Sequence, residues 1–497
     1  MKKSLEILQQ IYGYASFRGN QSKVIDQVVA GGDALVLMST GEGKSLCYQI
    51  PSMVRAGVGV VVCPLIALMQ NQVLALKRRG VRAEYLHSGM TKAEEIAVEK
   101  LLARGKLDLI YVSPERLATD GFTLILDQLY EHDGISLFAI DEAHCISHWG
   151  HSFRPNYRRL SNLAKQYPDV PRIAVTATAD DKTRQDIVEQ LQLEQAKTFV
   201  SSFDRPNLAH AVVVRGDQNQ QLLEFLREHE SQAGIVYCQL QQTVEEIARW
   251  LVSENIKAAP YHAGLADEVR TKNQQRFLNK RGIVMVATEA FGMGIDKSNV
   301  RFVALLGMPR SLEDYYQQVG RAGRDGEPAH AWMCFDSKDV IRHRRHINSS
   351  DDSRQQKKVK NAKLNAALAW VESTTCRRAG LLRYFGEAAE DCGTCDNCVA
   401  PANLVKKSAS QWQPPVENLR DMIDAQACDA RREELCSWRV EMALSNRVPV
   451  FKILPETALN QIMDRKKLTM NDLENMPGIG QKKAGLYGGD ILRILNH

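Results

Sequence analysis

The sequence predicts an α/β protein: two tandem domains, each built on a parallel β-sheet, then a small cysteine-rich helical subdomain and a helical C-terminal domain. Three observations carry that expectation. Short apolar runs recur up to about Phe335 with helix-period stretches between them, the pattern of buried parallel strands alternating with helices. A connecting stretch, Ser201–Gln220, divides these runs into two sets. Beyond them Cys376, Cys392, Cys395 and Cys398 cluster, and in a chain with no secretory signal such a cluster reads as a metal site before a disulfide framework.

The first set comprises Ala34–Met38, VGVVVC ending at Cys63, Leu109–Val112, LFAI ending at Ile140, and Ile173–Thr178. The second comprises Gly234–Cys238, Gly282–Thr288 and Phe302–Gly307. The chain of 497 residues has room for three or four domains at about 150 residues each. We place the first α/β domain at 1–205, the second at 206–338, a basic and metal-binding helical subdomain at 339–400, a linker rich in proline at 401–434 and the helical domain at 435–497. A composition of 44% hydrophobic and 25% charged residues excludes wholesale disorder and collagen-like repeats. The longest apolar run, Gly57–Met69, contains Pro64 and falls short of the ~18–20 residues of a membrane span. The N-terminus has two lysines without an apolar core behind them, so a cytoplasmic protein is expected. Net charge is only +5, but Arg342–Lys363 holds eight Lys or Arg against two Asp, either a solvated helix face or a contact for a polyanion.

Three motifs carry chemistry. STGEGKS, Ser39–Ser45, follows the first apolar run and opens a helical stretch. Its glycines let backbone N–H groups approach phosphates, Lys44 brings charge to the β and γ groups, and the Ser45 hydroxyl can ligate Mg²⁺. Thr40, Gly41, Gly43, Lys44, Ser45 and Leu46 form this candidate nucleotide set. LFAI runs into DEAH, Asp141–His144, which puts Asp141 at the crevice of an open sheet, where it reaches the same Mg²⁺, and sets Glu142 beside it to polarise water. In YYQQVGRAGRDG, Arg321 and Arg324 stand three apart, suited to a transferring phosphoryl group. An ATP site split between two domains explains both halves.

FRGNQ at Phe17–Gln21, STGEGKSLCYQIP, VVCPLIALMQNQV, YVSPERL, DEAHCISHWGHSFRPNY, TATA, VATEAFGMGIDK and YYQQVGRAGRDG resemble, in order and spacing, the motifs of RecQ DNA helicases. The resemblance implies two RecA-like domains and 3′ to 5′ translocation on single-stranded DNA. It implies that Tyr14, Arg18 and Gln21 recognise adenine, that Lys44, Ser45, Asp141 and Glu142 have the roles given above, and that Arg324, with Arg321, is an arginine finger. It places His148, Trp149, His151, Phe153, Arg154 and Tyr157 in an aromatic-rich loop that couples single-stranded DNA to hydrolysis, aromatic faces and an arginine being suited to bases and phosphate. Glu42, Asn71, His148, Ser152, Gln318 and the Leu240–Gln241 pair depart from the family's usual residues.

The Cys-x15-Cys-x2-Cys-x2-Cys spacing suits a closed tetrahedral thiolate site, though short Cys-x2-Cys runs also hold iron–sulfur clusters; the resemblance implies zinc. The segment from about Leu435 to Leu495, with MPGIGQKKAGLYG, resembles the family's helicase-and-RNaseD C-terminal (HRDC) domain. Only 36 residues separate Cys398 from Leu435, too few for a winged helix of about a hundred residues, so the chain resembles a shortened RecQ. The expected function is an ATP-dependent DNA helicase acting on single-stranded and forked duplex DNA in recombination and repair, with ATP, Mg²⁺ and Zn²⁺ as cofactors. An ATP-driven nucleic-acid clamp or remodeller and an RNA helicase are the alternatives.

Overall fold

A computed structural model describes residues 2–147, 154–291, 297–399, 430–446, 450–463 and 468–495. The first α/β unit has seven strands: β1 (Ala34–Leu37), β2 (Val58–Val62), β3 (Ala83–Leu86), β4 (Leu109–Val112), β5 (Ile135–Ile140), β6 (Arg172–Thr176) and β7 (Lys197–Val200). They lie in the order β3-β4-β2-β5-β6-β1-β7. The second has six: β8 (Leu208–Val214), β9 (Gly234–Cys238), β10 (Ala258–Tyr261), β11 (Val284–Ala287), β12 (Phe302–Leu306) and β13 (Ala329–Phe335), ordered β10-β11-β9-β12-β13-β8. Every pairing in both sheets is parallel, as the apolar runs predict.

Alternation along the strands builds two cores per sheet. In the first, Val36, Val61, Tyr111 and Val175 face one helical layer, while Leu37, Val62, Ile110 and Ile140 face the other. The second cluster continues through Phe203, in the connection between the sheets, into the second unit and the helices Arg354–Glu372 and Arg377–Tyr384. The expected connecting stretch therefore contains a strand, β8. β3, β7, β8 and β10, none of them among the apolar runs read from the sequence, are the four sheet edges. An edge strand is half covered, so its burial is interrupted, as in the exposed, exposed, buried, exposed run of β7, and its sequence carries no continuous apolar signal.

The cysteine-rich segment closes the β8 edge. Asp396 Oδ2 accepts a hydrogen bond from Val212 N at 2.9 Å, and Arg377 Nε holds the same carboxylate at 3.0 Å. The segment also grips the connection between the sheets: Glu387 accepts from Phe203 N at 2.5 Å and Ser202 Oγ at 2.7 Å, Arg378 pairs with Asp204 at 2.7 Å, and Phe385 stacks on Phe203 with ring centroids 4.6 Å apart. The C-terminal helices, including Ala430–Ser445, Glu456–Met463 and Gly480–Leu495, enclose a separate core of Leu435, Leu459, Ile462, Leu473 and Ile491, against which Ile341 of the helix Ser337–Ser349 packs. Among the described residues no helix is long and apolar enough to cross a membrane.

Candidate functional site

The loops that follow β1, β5 and β6 leave the first sheet at one edge, because parallel strands share their carboxyl ends. Here Lys44 is half-buried and its Nζ donates to the carbonyls of Met38 at 2.9 Å and Ser39 at 3.3 Å. Burial pushes its pKa down, and the Glu142 and Asp141 carboxylates oppose that shift. Gly41 and Gly43 take φ of +92° and +79°, the left-handed region that favours glycine. They are also closely packed. A Cβ on Gly43 would meet Gln21 Nε2 at 2.6 Å, and one on Gly41 would meet the Arg324 side chain at 3.0 Å.

The loop thus lies between the two expected ends of a nucleotide. On one side, Gln21 is 3% exposed, its amide donating to Glu42 O at 2.7 Å and accepting from Arg18 N at 2.9 Å. Tyr14 leaves its ring open, with the Arg18 guanidinium 5.9 Å from the centroid. On the other side, Arg324 reaches across from the second unit. A cavity of about 710 Å³ joins Tyr14, Arg18, Gln21, Lys44, Asp141 and Arg324, within the usual range of about 300–1,000 Å³ for a ligand cleft.

Asp141 continues β5. Tyr48, on the helix Leu46–Val54, donates to its Oδ2 at 3.2 Å, and Glu142 N donates to its Oδ1 at 2.9 Å. Glu142 has φ of +48°, a conformation uncommon outside glycine and frequent at functional sites. Burial, then the adjacent Asp141, raises its pKa to about 7, against Lys44 and Arg321. Arg321 is itself buried.

Sequence reasoning missed the wiring between these groups. His144 Nδ1 lies 3.4 Å from Glu142 Oε2 and 2.9 Å from Thr176 Oγ1; the Thr176 hydroxyl reaches Thr178 O at 3.1 Å. Gln317 Nε2, on the helix Leu312–Val319 of the second unit, donates to Thr178 Oγ1 at 3.3 Å. The signal was present, since DEAH, TATA and YYQQVGRAGRDG contain all of them, but their spacing in sequence says nothing of their contact. The arginine loop is held from the inter-sheet connection: Arg205 Nη2 donates to Ala322 O at 2.8 Å and Gly323 O at 2.9 Å, and Asn207 Nδ2 to Gly323 O at 2.9 Å.

Of the expected DNA-facing residues, His148, Trp149, His151 and Phe153 lie outside the described residues. Arg154 Nη1 donates to Pro64 O at 2.6 Å. Tyr157 corrects the sequence reading. It is fully buried, its hydroxyl donating to Asp141 O at 2.9 Å, so it offers no face to a base and instead fixes the backbone of the acidic motif. The basic stretch also divides. Lys363 is buried beside Glu313, and Lys360 is paired with Asp352 at 2.5 Å, so neither stands as a free surface cation.

The four clustered cysteines meet the geometric demand of a metal. Their sulfurs all lie within 4.8 Å of one another, with separations of 3.4, 3.9 and 4.0 Å, close to the ~3.8 Å edge of a tetrahedron with Zn–S bonds of ~2.3 Å. Backbone N–H groups of Arg377, Ala379, Cys392 and Cys395 point at these sulfurs at 3.2–3.4 Å, as thiolates require. The residues fit zinc, in a closed set with no open position.

Comparison with known proteins agrees with this geometry. The chain matches the DEAD/DEAH box helicase family over residues 18–187, the helicase conserved C-terminal domain over 217–326, the RecQ zinc-binding family over 337–399 and the HRDC domain over 429–495. It is 43% identical over 399 residues to the ATP-dependent DNA helicase RecQ of Haemophilus influenzae, covering 80% of this chain and 64% of that protein. To the ATP-dependent DNA helicase RecQ of Bacillus subtilis it is 40% identical over 403 residues, 80% of this chain and 67% of that one. The chain thus spans just under two thirds of the length of the Haemophilus relative. Among solved structures, Mss116p bound to single-stranded RNA and AMP-PNP shares the fold, with a TM-score of 0.56 at 14% identity over 77% of this chain and 89% of that one. Two parallel-sheet units with a shared cleft, a four-cysteine module and relatives of this similarity place the chain in the RecQ helicase family.

Proposed function

We propose that the chain is an ATP-dependent DNA helicase that moves 3′ to 5′ along single-stranded DNA and separates forked duplexes, a cytoplasmic enzyme of DNA recombination and repair. The observation that carries this reading is Arg324, a residue of the second unit packed against Gly41 in the phosphate loop of the first. A site divided in this way is complete only when the two units close, so binding and release of nucleotide become relative motion. The relatives' names supply DNA as the track.

In this reading Tyr14, Arg18 and Gln21 hold adenine, while Thr40, Gly41, Gly43 and Leu46 shape the phosphate loop. Lys44 loses its carbonyl partners and turns to the β and γ phosphates. Ser45 and Asp141 hold Mg²⁺, which supplies charge neutralisation between the phosphates when bound. Glu142 orients the attacking water, its raised pKa suiting it to take up a proton near neutrality. Arg324, with Arg321 beside Glu142, stabilises charge on the transferring phosphoryl group. His148, Trp149, Phe153 and Arg154 contact DNA. Cys376, Cys392, Cys395 and Cys398 bind Zn²⁺ as a structural ion.

The test is a forked-duplex unwinding assay run beside ATPase assays with DNA and RNA stimulators. Wild-type protein should unwind DNA, and Lys44→Ala should lose at least about 10³-fold in kcat/KM, the combined loss of a charge-assisted contact in ground and transition state. DNA-stimulated hydrolysis without strand separation would replace this reading with a clamp, and preferential stimulation by RNA with an RNA helicase.

A further inference from the structure

Lys363, on the helix Arg354–Glu372, sends its ammonium into the boundary between the two α/β units. Its Nζ is 2.5 Å from Glu313 Oε1 and 3.9 Å from Asp180 Oδ2. The three side chains are 7%, 2% and 15% exposed. Each belongs to a different part of the fold. Asp180 belongs to the first unit, where it caps the helix Asp181–Leu191 by accepting from Thr183 N at 2.8 Å. Glu313 belongs to the first turn of Leu312–Val319, the helix that carries Gln317 and leads into Arg321 and Arg324. Lys363 reaches both from the basic segment.

Burial opposes the charge on Lys363, but Glu313, Asp180 and the nearby Asp314 outweigh it and raise its pKa. Burial likewise opposes ionisation of Glu313, and Lys363 reverses the sign, so that its pKa is lowered. The group is therefore a charged triad, with two carboxylates that would repel each other if the lysine were absent. Burying three charges is a poor way to gain stability compared with apolar packing, and such groups are best attested as devices of registry and switching. The two distances are unequal in an informative way. Lys363 and Glu313 form the tight pair, whereas Asp180 is the looser partner and lies in the other unit. Separation of the units would release Asp180 and leave the pair intact.

We propose that Lys363 is a positioning residue: by bridging Asp180 and Glu313 it acts as a catch that holds the two units in the arrangement bringing Arg321 and Arg324 to the phosphate loop. The catch lies just beyond the Thr178–Gln317 hydrogen bond, so Asp180 and Glu313 extend that bridge by two residues in the first unit and four in the second. It rests on the reading of the cleft as an ATP site. With the catch gone, nucleotide must close the units unaided, and apparent affinity falls by the fraction of molecules left open.

Asp180→Asn is the cleanest variant, because asparagine caps a helix as well as aspartate does while the charge is removed. Its KM for ATP should rise about fivefold, with kcat at saturating ATP within about twofold and the melting temperature unchanged. Lys363→Met should raise KM at least as far, Lys363→Arg should restore most of it, and the double variant should be no worse than Lys363→Met alone, because partners in one interaction are not additive. Solution X-ray scattering of the nucleotide-free protein should show a larger radius of gyration for Asp180→Asn than for wild type. An unchanged KM and radius in Asp180→Asn, or effects of the two substitutions that simply multiply, would overturn the catch. A wild-type protein that hydrolyses no ATP would overturn the reading of the cleft instead, and the scattering comparison would still decide the catch.

Discussion

The two α/β units hold their shares of the cleft by different means. In the first, each charged group is fixed by its own unit: Lys44 by the carbonyls of Met38 and Ser39, Asp141 by Tyr48 and by the Glu142 N–H, and the Asp141 backbone by Tyr157. In the second, the loop bearing Arg321 and Arg324 hangs by its backbone carbonyls from Arg205 and Asn207, at the end of the connection between the sheets. That connection is in turn gripped by Glu387 and Arg378 of the cysteine-rich segment. One half-site is built in, and the other takes its position from a hinge and the module that clamps it.

The contrast can be broken in several places, the most drastic being the clamp. Zinc analysis should return one ion per chain in the wild type. Cys395→Ser should bind little metal and be poorly soluble, since metal binding in such modules supplies roughly 10 kcal/mol of folding free energy. Limited proteolysis of the soluble fraction should then cut first within 201–214, leaving the first unit as the resistant fragment. Cleavage elsewhere would show that the hinge does not depend on the clamp. Next in size, Arg324→Ala should lower kcat about 10³-fold, the lower end for an arginine finger, with nucleotide affinity within about threefold of wild type. Equal losses in both would make Arg324 a ground-state contact. Smallest, Arg205→Ala should cost about 1.5–3 kcal/mol of stability, from hydrogen bonds made by a charged donor, and lower kcat about tenfold by loosening the arginine loop. Urea unfolding beside ATPase rates would check both, and a destabilised protein with normal kcat would detach the loop's position from the hinge.

The sequence made the centres of both sheets legible and hid their margins. β4 and β9 match LIYV and GIVYC residue for residue, because strands buried on both faces are continuous apolar runs. β7 and β10 give no such run, because edge strands are only partly covered: β7 has a single buried residue, and β10 is buried at its first two residues and half-buried at its last two. The candidate site divides in the same manner. Lys44, Asp141, Glu142 and Arg324 could be singled out because phosphate chemistry demands particular residues at particular spacings. Nothing in the spacing reveals that Tyr157 turns inward, or that Lys363, one of eight cations in the stretch Arg342–Lys363, is buried between carboxylates. Those outcomes depend on contacts spanning tens to hundreds of residues, and a local reading of charge or aromaticity assigns them to the surface by default.

The closure of the β8 edge also has a consequence during synthesis. Val212 N finds its acceptor in Asp396, 184 residues further along the chain. At about 5–20 residues per second, the ribosome takes about 10–40 s to deliver that residue, whereas loop closure and local collapse take microseconds or less. β8 joins the second sheet only through β13, which ends at Phe335, so it is over the last 61 of those residues, about 3–12 s at the same rate, that a nascent second sheet carries an uncovered edge, a template for pairing with another chain. A substitution in the cysteine-rich segment that slows metal capture would lengthen this exposure, so its first symptom in a cell would be a lower yield of soluble protein rather than an enzyme with altered kinetics.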